Sequence, residues 1–532
     1  MQRSLSNGKL YSFLAFDTNK RILLFLILVM ALGIRLYKID QPYTDMAGWR
    51  QCSTAMMADN FHHRNSNILY PEVSWNGPAE SYNGREFQTV TYITSLLYYV
   101  LGQYDWVGRL VAIFFGVWGV FAFYQLVRRI WGEKQAIASA AMLALLPGSI
   151  FFDRSFLPDP AMVSLVTTSL WFFMAYLQTN RNAYLILTML TACLGFLTKI
   201  TGMIVLLPML YAIITSLVAS KRFTASNIIK IVIPGLVVVA IVAAYYSWAR
   251  YLSLHYPPYH FAGSGNWLWN DGLRAWLAES YFLYNLSYIF QNWMLGWPFI
   301  LLFLVGLVVS LPSLNKQVPT GRAAQSAPFF FHFWLVGFVV YYIIGAKELI
   351  HNFWNFHILD PVIAAFCGYM IVFILEILRN RKIVAWTAGL LLFAVITVSN
   401  RRVLRNTFTD KYYKSDYHMG QQLNKLRNPG DLVVVLSQSI GNPLPIYYSK
   451  GRGWVFPPAG KEAWDRLPQT DSACITTLEN LREQGADWFG INLKQYKMIE
   501  SSYPQFTAYL NRHYSIRTES PEYKIFQLAQ NP

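Results

Sequence analysis

The sequence predicts an all-α polytopic membrane protein, with about eleven spans and a small α/β domain at its C-terminus. Three observations predict it. Of 532 residues, 54% are hydrophobic and only 14% charged, where a soluble domain carries about 25% charge. Aromatic residues reach 17%, enough Trp and Tyr for belts at both membrane surfaces. Long apolar runs recur until about residue 400 and then stop. This profile excludes a disordered chain and an ordinary cytosolic enzyme. The net charge of +16 fits basic cytoplasmic loops better than nucleic acid. Cys52, Cys193, Cys367 and Cys474 have no CxxC spacing. They give neither a zinc site nor a disulfide framework.

A span needs about 20 apolar residues. Eleven are expected, at about 21–37, 107–127, 136–152, 160–178, 183–198, 201–219, 228–248, 293–312, 329–345, 358–377 and 384–400. The first follows Lys20 and Arg21 without a small-residue cleavage site, so it reads as an uncleaved anchor. With the N-terminus inside, the inner connections collect Lys and Arg and the C-terminus lies outside. Residues 1–400 then form a transmembrane domain and 401–532 an extracytoplasmic α/β domain. Two outer loops are long, 38–106 and 249–292, and long loops commonly carry function. Residues 47–64 suit an interfacial helix offering Trp49, Met56, Met57 and Phe61 to lipid. In the last domain, 411–427 reads as a helix stopped by Asn428-Pro429-Gly430 and 475–485 as another. Strands are expected at 431–436, 487–492, 514–518 and 523–528. With no Gly-rich phosphate loop and no triad, its plain reading is a docking or structural cap.

Ionisable residues at membrane depth are costly and mark function by default. The first outer loop holds Asp45, within Pro42-Tyr43-Thr44-Asp45-Met46, and Arg85-Glu86, within Asn83-Gly84-Arg85-Glu86-Phe87. Asp153, Arg154 and Asp159 crowd a short outer connection. Asp159 also suits an N-cap before Pro160. Lys199 interrupts a long apolar run, either snorkelling to the interface or meeting a phosphate. His351, His357 and Asp360 stand before a late span. Their His spacing is not helical metal spacing, so no metal site is expected. Arg85, Arg154, Lys199, His351 and His357 suit a phosphate leaving group. Asp45, Glu86 and Asp159 offer a base for an acceptor hydroxyl. Together they fit sugar transfer from a lipid phosphate. Tyr256-Pro-Pro-Tyr259-His260, Gly263, Gly265, Trp267 and Trp269 make the second long loop a lid or an aromatic belt.

At these residues the sequence resembles the GT-C superfamily of membrane glycosyltransferases, in the branch of protein O-mannosyltransferases and the lipid A aminoarabinose transferase. The matching pieces are Asp45, Gly48-Trp49-Arg50-Gln51, Tyr82 to Phe87, Trp106-Val107-Gly108-Arg109-Leu110, Asp159-Pro160, Leu197-Thr198-Lys199 and the stretch from His351 to Pro361. Phe353-Trp354-Asn355 departs from the tyrosines that relatives often carry there. The resemblance implies a polyprenyl-phosphate sugar donor and inversion at the anomeric carbon. It implies Asp45 as the base, Glu86 orienting base or acceptor, and Asp159 and Lys199 near sugar and phosphate. Members differ in metal dependence, so no cofactor is firm and a divalent cation stays open. The acceptor is a lipid, a glycan or a protein, and the expected location is a bacterial plasma membrane. The alternatives are a transporter or flippase for a lipid-linked sugar, and a scaffold acting through its last domain. Against transport, no repeat relates the two halves.

Overall fold

The computed structural model describes residues 18–219, 225–260, 286–311, 327–460 and 466–529, with the single positions 268 and 272. Helices occupy the expected apolar runs. α1 spans Thr18–Arg35, α2 Gly48–His63, α3 Thr89–Leu101, α4 Asp105–Ile130, α5 Glu133–Leu145 and α6 Pro147–Phe152. α7 spans Asp159–Thr179, α8 Asn182–Thr198, α9 Leu206–Ala219, α10 Ala225–His255 and α11 Gly296–Val309. α12 spans Phe330–His351, α13 Asp360–Ile377 and α14 Lys382–Thr407.

Among the described residues, five helices are long and apolar enough to cross a membrane, or six if one bent pair is a single span. That is fewer than the eleven expected. Several expected spans are short or broken, for local reasons. Leu146 and Pro147 separate α5 from α6. Lys199 leaves helical geometry, and a 3₁₀ turn at Ile200–Val205 follows before α9. Leu286–Met294 and α11 meet at 117°. Gly345 is non-helical inside α12. α14 runs through residue 401 to Thr407.

The C-terminal part is the expected α/β unit. α15 is Lys414–Leu426, β1 Leu432–Leu436, α16 Leu444–Tyr448 and β2 Arg452–Val455. α17 is Asp471–Glu483, β3 Ala486–Asn492, α18 Leu493–Ser502, α19 Pro504–His513, β4 Ser515–Glu519 and β5 Tyr523–Gln527. The sheet order is β2-β1-β3-β5-β4, parallel across β2, β1 and β3 and antiparallel at β5 and β4. Side chains alternate across the sheet. Val434, Leu436 and Phe489 pack with Leu478, Ile499 and Phe506 on one face. Val433 and Val435 face α15 and α16, and their apolar cluster continues into Met56, Phe61, Val73 and Trp75 of the first outer loop.

That shared cluster corrects one expectation. α2 forms where the sequence predicts a helix, but Met56, Met57 and Phe61 are buried. α3 and α16 cover it, and protein takes the place assigned to lipid. The domain is further sewn to the loop by backbone hydrogen bonds from Gly77 to Gly453 and from Gly453 to Ser74. Asn76 pairs with Trp454 as a short antiparallel bridge on the β2 edge.

Candidate active site

Three polar clusters lie among the first long loop and the connections that follow α6, α8 and α12. The first surrounds Asp45, whose side chain is 0% exposed. Its Oδ1 accepts from the Ala47 amide at 3.0 Å and Gln51 Nε2 at 2.8 Å. Its Oδ2 lies 3.4 Å from Arg154 Nη2 and 3.6 Å from Arg109 Nη2. Arg109 also donates to the carbonyls of Ile39, Gln41 and Pro42, and Arg154 to those of Tyr37 and Lys38. Two buried guanidinium groups thus tie the chain leaving α1 to the carboxylate. Arg154 is fully buried, with Nη1 and Nη2 spent on these contacts and Nε left without a hydrogen-bond partner among the described residues.

The second cluster joins α1, α6 and α13. Arg35 Nε and Nη2 hold Asp153 Oδ2 at 2.9 and 2.7 Å. His357 bridges Asp153 Oδ1 at 3.0 Å and Asp360 Oδ2 at 2.7 Å. Both ring nitrogens of His357, expected as an anion contact, therefore face carboxylates. The side chain of His351, and Gly263, Gly265, Trp267 and Trp269 of the second long loop, lie outside the described residues.

The third cluster sits at the mouth between residues 83–88 and the end of α8. The two segments are stitched by Phe87 N–H to the Leu197 carbonyl (3.0 Å) and by Thr89 to Thr198 through their hydroxyls (2.7 Å). Gly84 passes Ala249 so closely that a Cβ would stand 2.1 Å from its carbonyl oxygen. The Tyr245 hydroxyl donates to the Glu86 carbonyl at 2.7 Å. So fixed, Glu86 receives Arg50 Nη2 on both oxygens at 2.7 and 2.6 Å. Arg85 meets His260. Lys199 Nζ donates to Asp159 Oδ1 at 2.6 Å. Lys199 is buried in this pair, so it does not snorkel. Asp159 makes no side-chain cap for α7 and spends its carboxylate on Lys199.

The charges of this cluster act on one another. Burial pushes Glu86 up, but Arg50, Arg85 and Lys199 outweigh it and hold the carboxyl at about 2. Burial and the neighbouring Arg50 bring Arg85 down to about 10, against Glu86 and Glu348. Burial, Arg85 and Arg50 push His260 well below its ordinary value. Arg50 and Glu86 keep side-chain exposures of 11% and 15%, so this cluster, unlike the first, opens outward. Of the sequence-predicted residues it unites Arg85, Glu86, Asp159 and Lys199, while Asp45 and Arg154 share the first cluster. Sequence reasoning gave no role to Arg50, Arg109, Arg35 or Tyr245. Arg109 was detectable as a lone charge opening an apolar run. Among the described residues, no three His, Cys, Asp or Glu side chains converge as metal ligands.

Helical bundle, charged mouth and attached α/β domain together share the fold of several solved membrane-protein structures. A family model described as dolichyl-phosphate-mannose-protein mannosyltransferase matches residues 89–248. ArnT from Cupriavidus metallidurans bound to undecaprenyl phosphate is similar in structure, with TM-score 0.56 at 10% identity over 95% of this chain and 98% of that one. The Archaeoglobus fulgidus oligosaccharyltransferase in complex with Zn and sulfate aligns with TM-score 0.58 at 13% identity, over 92% of this chain and 71% of that one. The archaeal oligosaccharyltransferase AglB from the same organism, with an inhibitory peptide and a dolichol-phosphate, aligns with TM-score 0.55 at 12% identity, over 94% and 73%. No curated protein matches the chain in sequence.

Proposed function

We propose that this protein is an integral-membrane glycosyltransferase that moves a sugar from a polyprenyl-phosphate donor to an acceptor hydroxyl, with inversion, on the outer face of a plasma membrane. The third cluster carries this reading. Arg50, Arg85 and Lys199 supply positive charge where a phosphate leaves. Glu86 is the carboxylate with an opening; Arg50 keeps it charged at rest, and losing Arg50 to an incoming acceptor raises its affinity for a proton. An apolar groove of about 670 Å³ along α1, α3 and α4, lined by Leu28, Leu32, Leu97 and Trp118, suits a lipid tail. The lipid phosphates bound to ArnT and AglB support the same donor class.

In this mechanism the donor phosphate draws Lys199 from Asp159. The acceptor hydroxyl displaces Arg50 from Glu86. Its oxygen attacks the anomeric carbon from the face opposite the phosphate. The C–O bond to phosphate breaks, its electron pair leaves with the polyprenyl phosphate, and Glu86 receives the hydroxyl proton. A single displacement inverts the centre. Asp45, the base implied by the sequence resemblance, then works as a strut beneath the mouth.

The test is transfer from a panel of polyprenyl-phosphate hexoses by the purified protein, with membrane lipid, glycan and protein extract as acceptor. Loss in Glu86→Gln of at least about a hundredfold, the usual scale for a general base, at unchanged Tm, supports the reading. Loss in Asp45→Asn at wild-type Tm, with Glu86→Gln active, returns the base to Asp45. Binding of lipid-linked sugar without turnover of any donor favours the transporter.

A further inference from the structure

A second cavity lies away from the charged mouth. It has a volume of about 720 Å³, within the range of small-molecule sites. Its walls come from the last turns of α2, the connection between α3 and α4, and the C-terminal domain, among them Asp59, Asn60, His63, Gln103, Tyr447 and Lys450. Asp59 stands nine residues beyond Arg50 on α2, about two and a half turns and 14 Å along the axis. It therefore faces the side of the helix opposite Arg50. A molecule in this cavity does not touch the reacting groups.

The lining has unmet hydrogen-bonding capacity of both signs. Asp59 Oδ1 is buried and has no hydrogen-bond partner. Lys450 Nζ lies 4.8 Å from the centre of the Tyr447 ring and makes no ion pair among the described residues. Arg427 spends its donors on the carbonyls of Ser449, Asn428 and Lys450, so its charge stays without a bonded carboxylate. A phosphate here would face Asp59 and Asp431. An amine would face Lys450 and Arg427. A hydroxyl donates to one wall and accepts from the other, and several hydroxyls do so at once. The Tyr447 ring and Met56 add apolar surface for a C–H face. Burial raises Asp59 to about 6 against the pull of Lys450 and a hydrogen bond with Gln103, so the group can also donate.

We propose that this cavity binds a saccharide and anchors the non-reacting part of a glycan acceptor. The anchoring role rests on the transferase reading above; the saccharide chemistry of the cavity does not. Binding energy gathered there holds the far end of the acceptor while its hydroxyl reacts at the mouth.

The experiment is saturation-transfer NMR on the full-length protein in nanodiscs, with maltose, cellobiose, chitobiose and mannobiose as probes. At least one disaccharide receives saturation, and Lys450→Ala and Asp59→Asn each weaken its binding by about tenfold or more, the scale of one charge-assisted hydrogen bond. Glu86→Gln leaves it unchanged. Lys450 is exposed, so its variant keeps the test open should Asp59→Asn fail to fold. Saturation of no disaccharide, undiminished binding in Lys450→Ala, or displacement by inorganic phosphate at equal concentration would each overturn the proposal. Sugar binding with no donor turnover would sink the transferase reading and leave the site standing.

Discussion

A carboxylate is a base only where an acceptor reaches it. Asp45 is 0% exposed and shares Oδ2 with two guanidinium groups. Removing its charge leaves Arg109 and Arg154 buried and uncompensated, at a cost of about 3–5 kcal/mol. Asp45→Asn is therefore expected to lower Tm sharply, and differential scanning fluorimetry checks it. Glu86, held at about 2, stays ionised across the working range, so its titration sets no acid limb of turnover above about pH 4. Arg50→Gln removes the largest opposing charge and moves that limb upward in the pH–rate profile. An unmoved limb would disconnect Glu86 from the rate. The residue types at this mouth were legible in the sequence, because Glu86, Asp159 and Lys199 are charges beside apolar runs. Their partners were not. Arg50 stands 36 residues from Glu86 and Asp159 stands 40 from Lys199, and no local pattern encodes a pairing across that distance.

Among elements, the sequence placed helices by apolar run length and did not see what interrupts them. α2 shows the limit. Its apolar residues read equally well against lipid or against protein, and only the distant α16 decides. β2 was missed because Arg452–Val455 is four residues long. In α15, Asp416 accepts from the Gln438 amide and Asn492 Nδ2, and burial raises its pKa to about 7. Asp59 shifts the same way. For both, the folded carboxyl keeps its proton above the unfolded value near 3.8. Their stability contribution is full below about pH 4 and is lost as pH rises to about 7. Tm should fall over that window and level above it, and Asp59→Asn with Asp416→Asn should flatten the curve. Gly84→Ala places a methyl against the Ala249 carbonyl. It should displace residues 83–88 and reduce donor turnover more than Tm.

At the scale of the whole molecule, the last domain is fastened to the first outer loop. Tyr447 and Tyr448 each donate at 2.7 Å to Asp105, which opens α4, and the Tyr43 amide donates to the Tyr448 hydroxyl. Glu72 takes Arg452 at 2.9 Å and Arg64 at 3.2 Å. Tyr447→Phe with Tyr448→Phe leaves Asp105 without these donors. Limited proteolysis should then cut near residues 408–413 far faster, and transfer should weaken together with acceptor binding. Wild-type resistance in the double variant would mean that the apolar cluster alone holds the domain. The C-terminal sheet was legible from the composition change near residue 400; the seam was not, because it joins positions more than three hundred apart.

The seam also sets a schedule for biogenesis. Asp105 waits 343 residues for Tyr448, about 20–70 s at ordinary synthesis rates. Until then the first loop has no β2 edge for Asn76, and α2 lacks the cover that α16 gives it. A chain cut short before that point carries most of its membrane helices and the whole charged mouth, yet leaves an apolar flank bare. Quality-control proteases would meet that flank, so an unfinished copy is marked for removal by the same surfaces that complete a finished one.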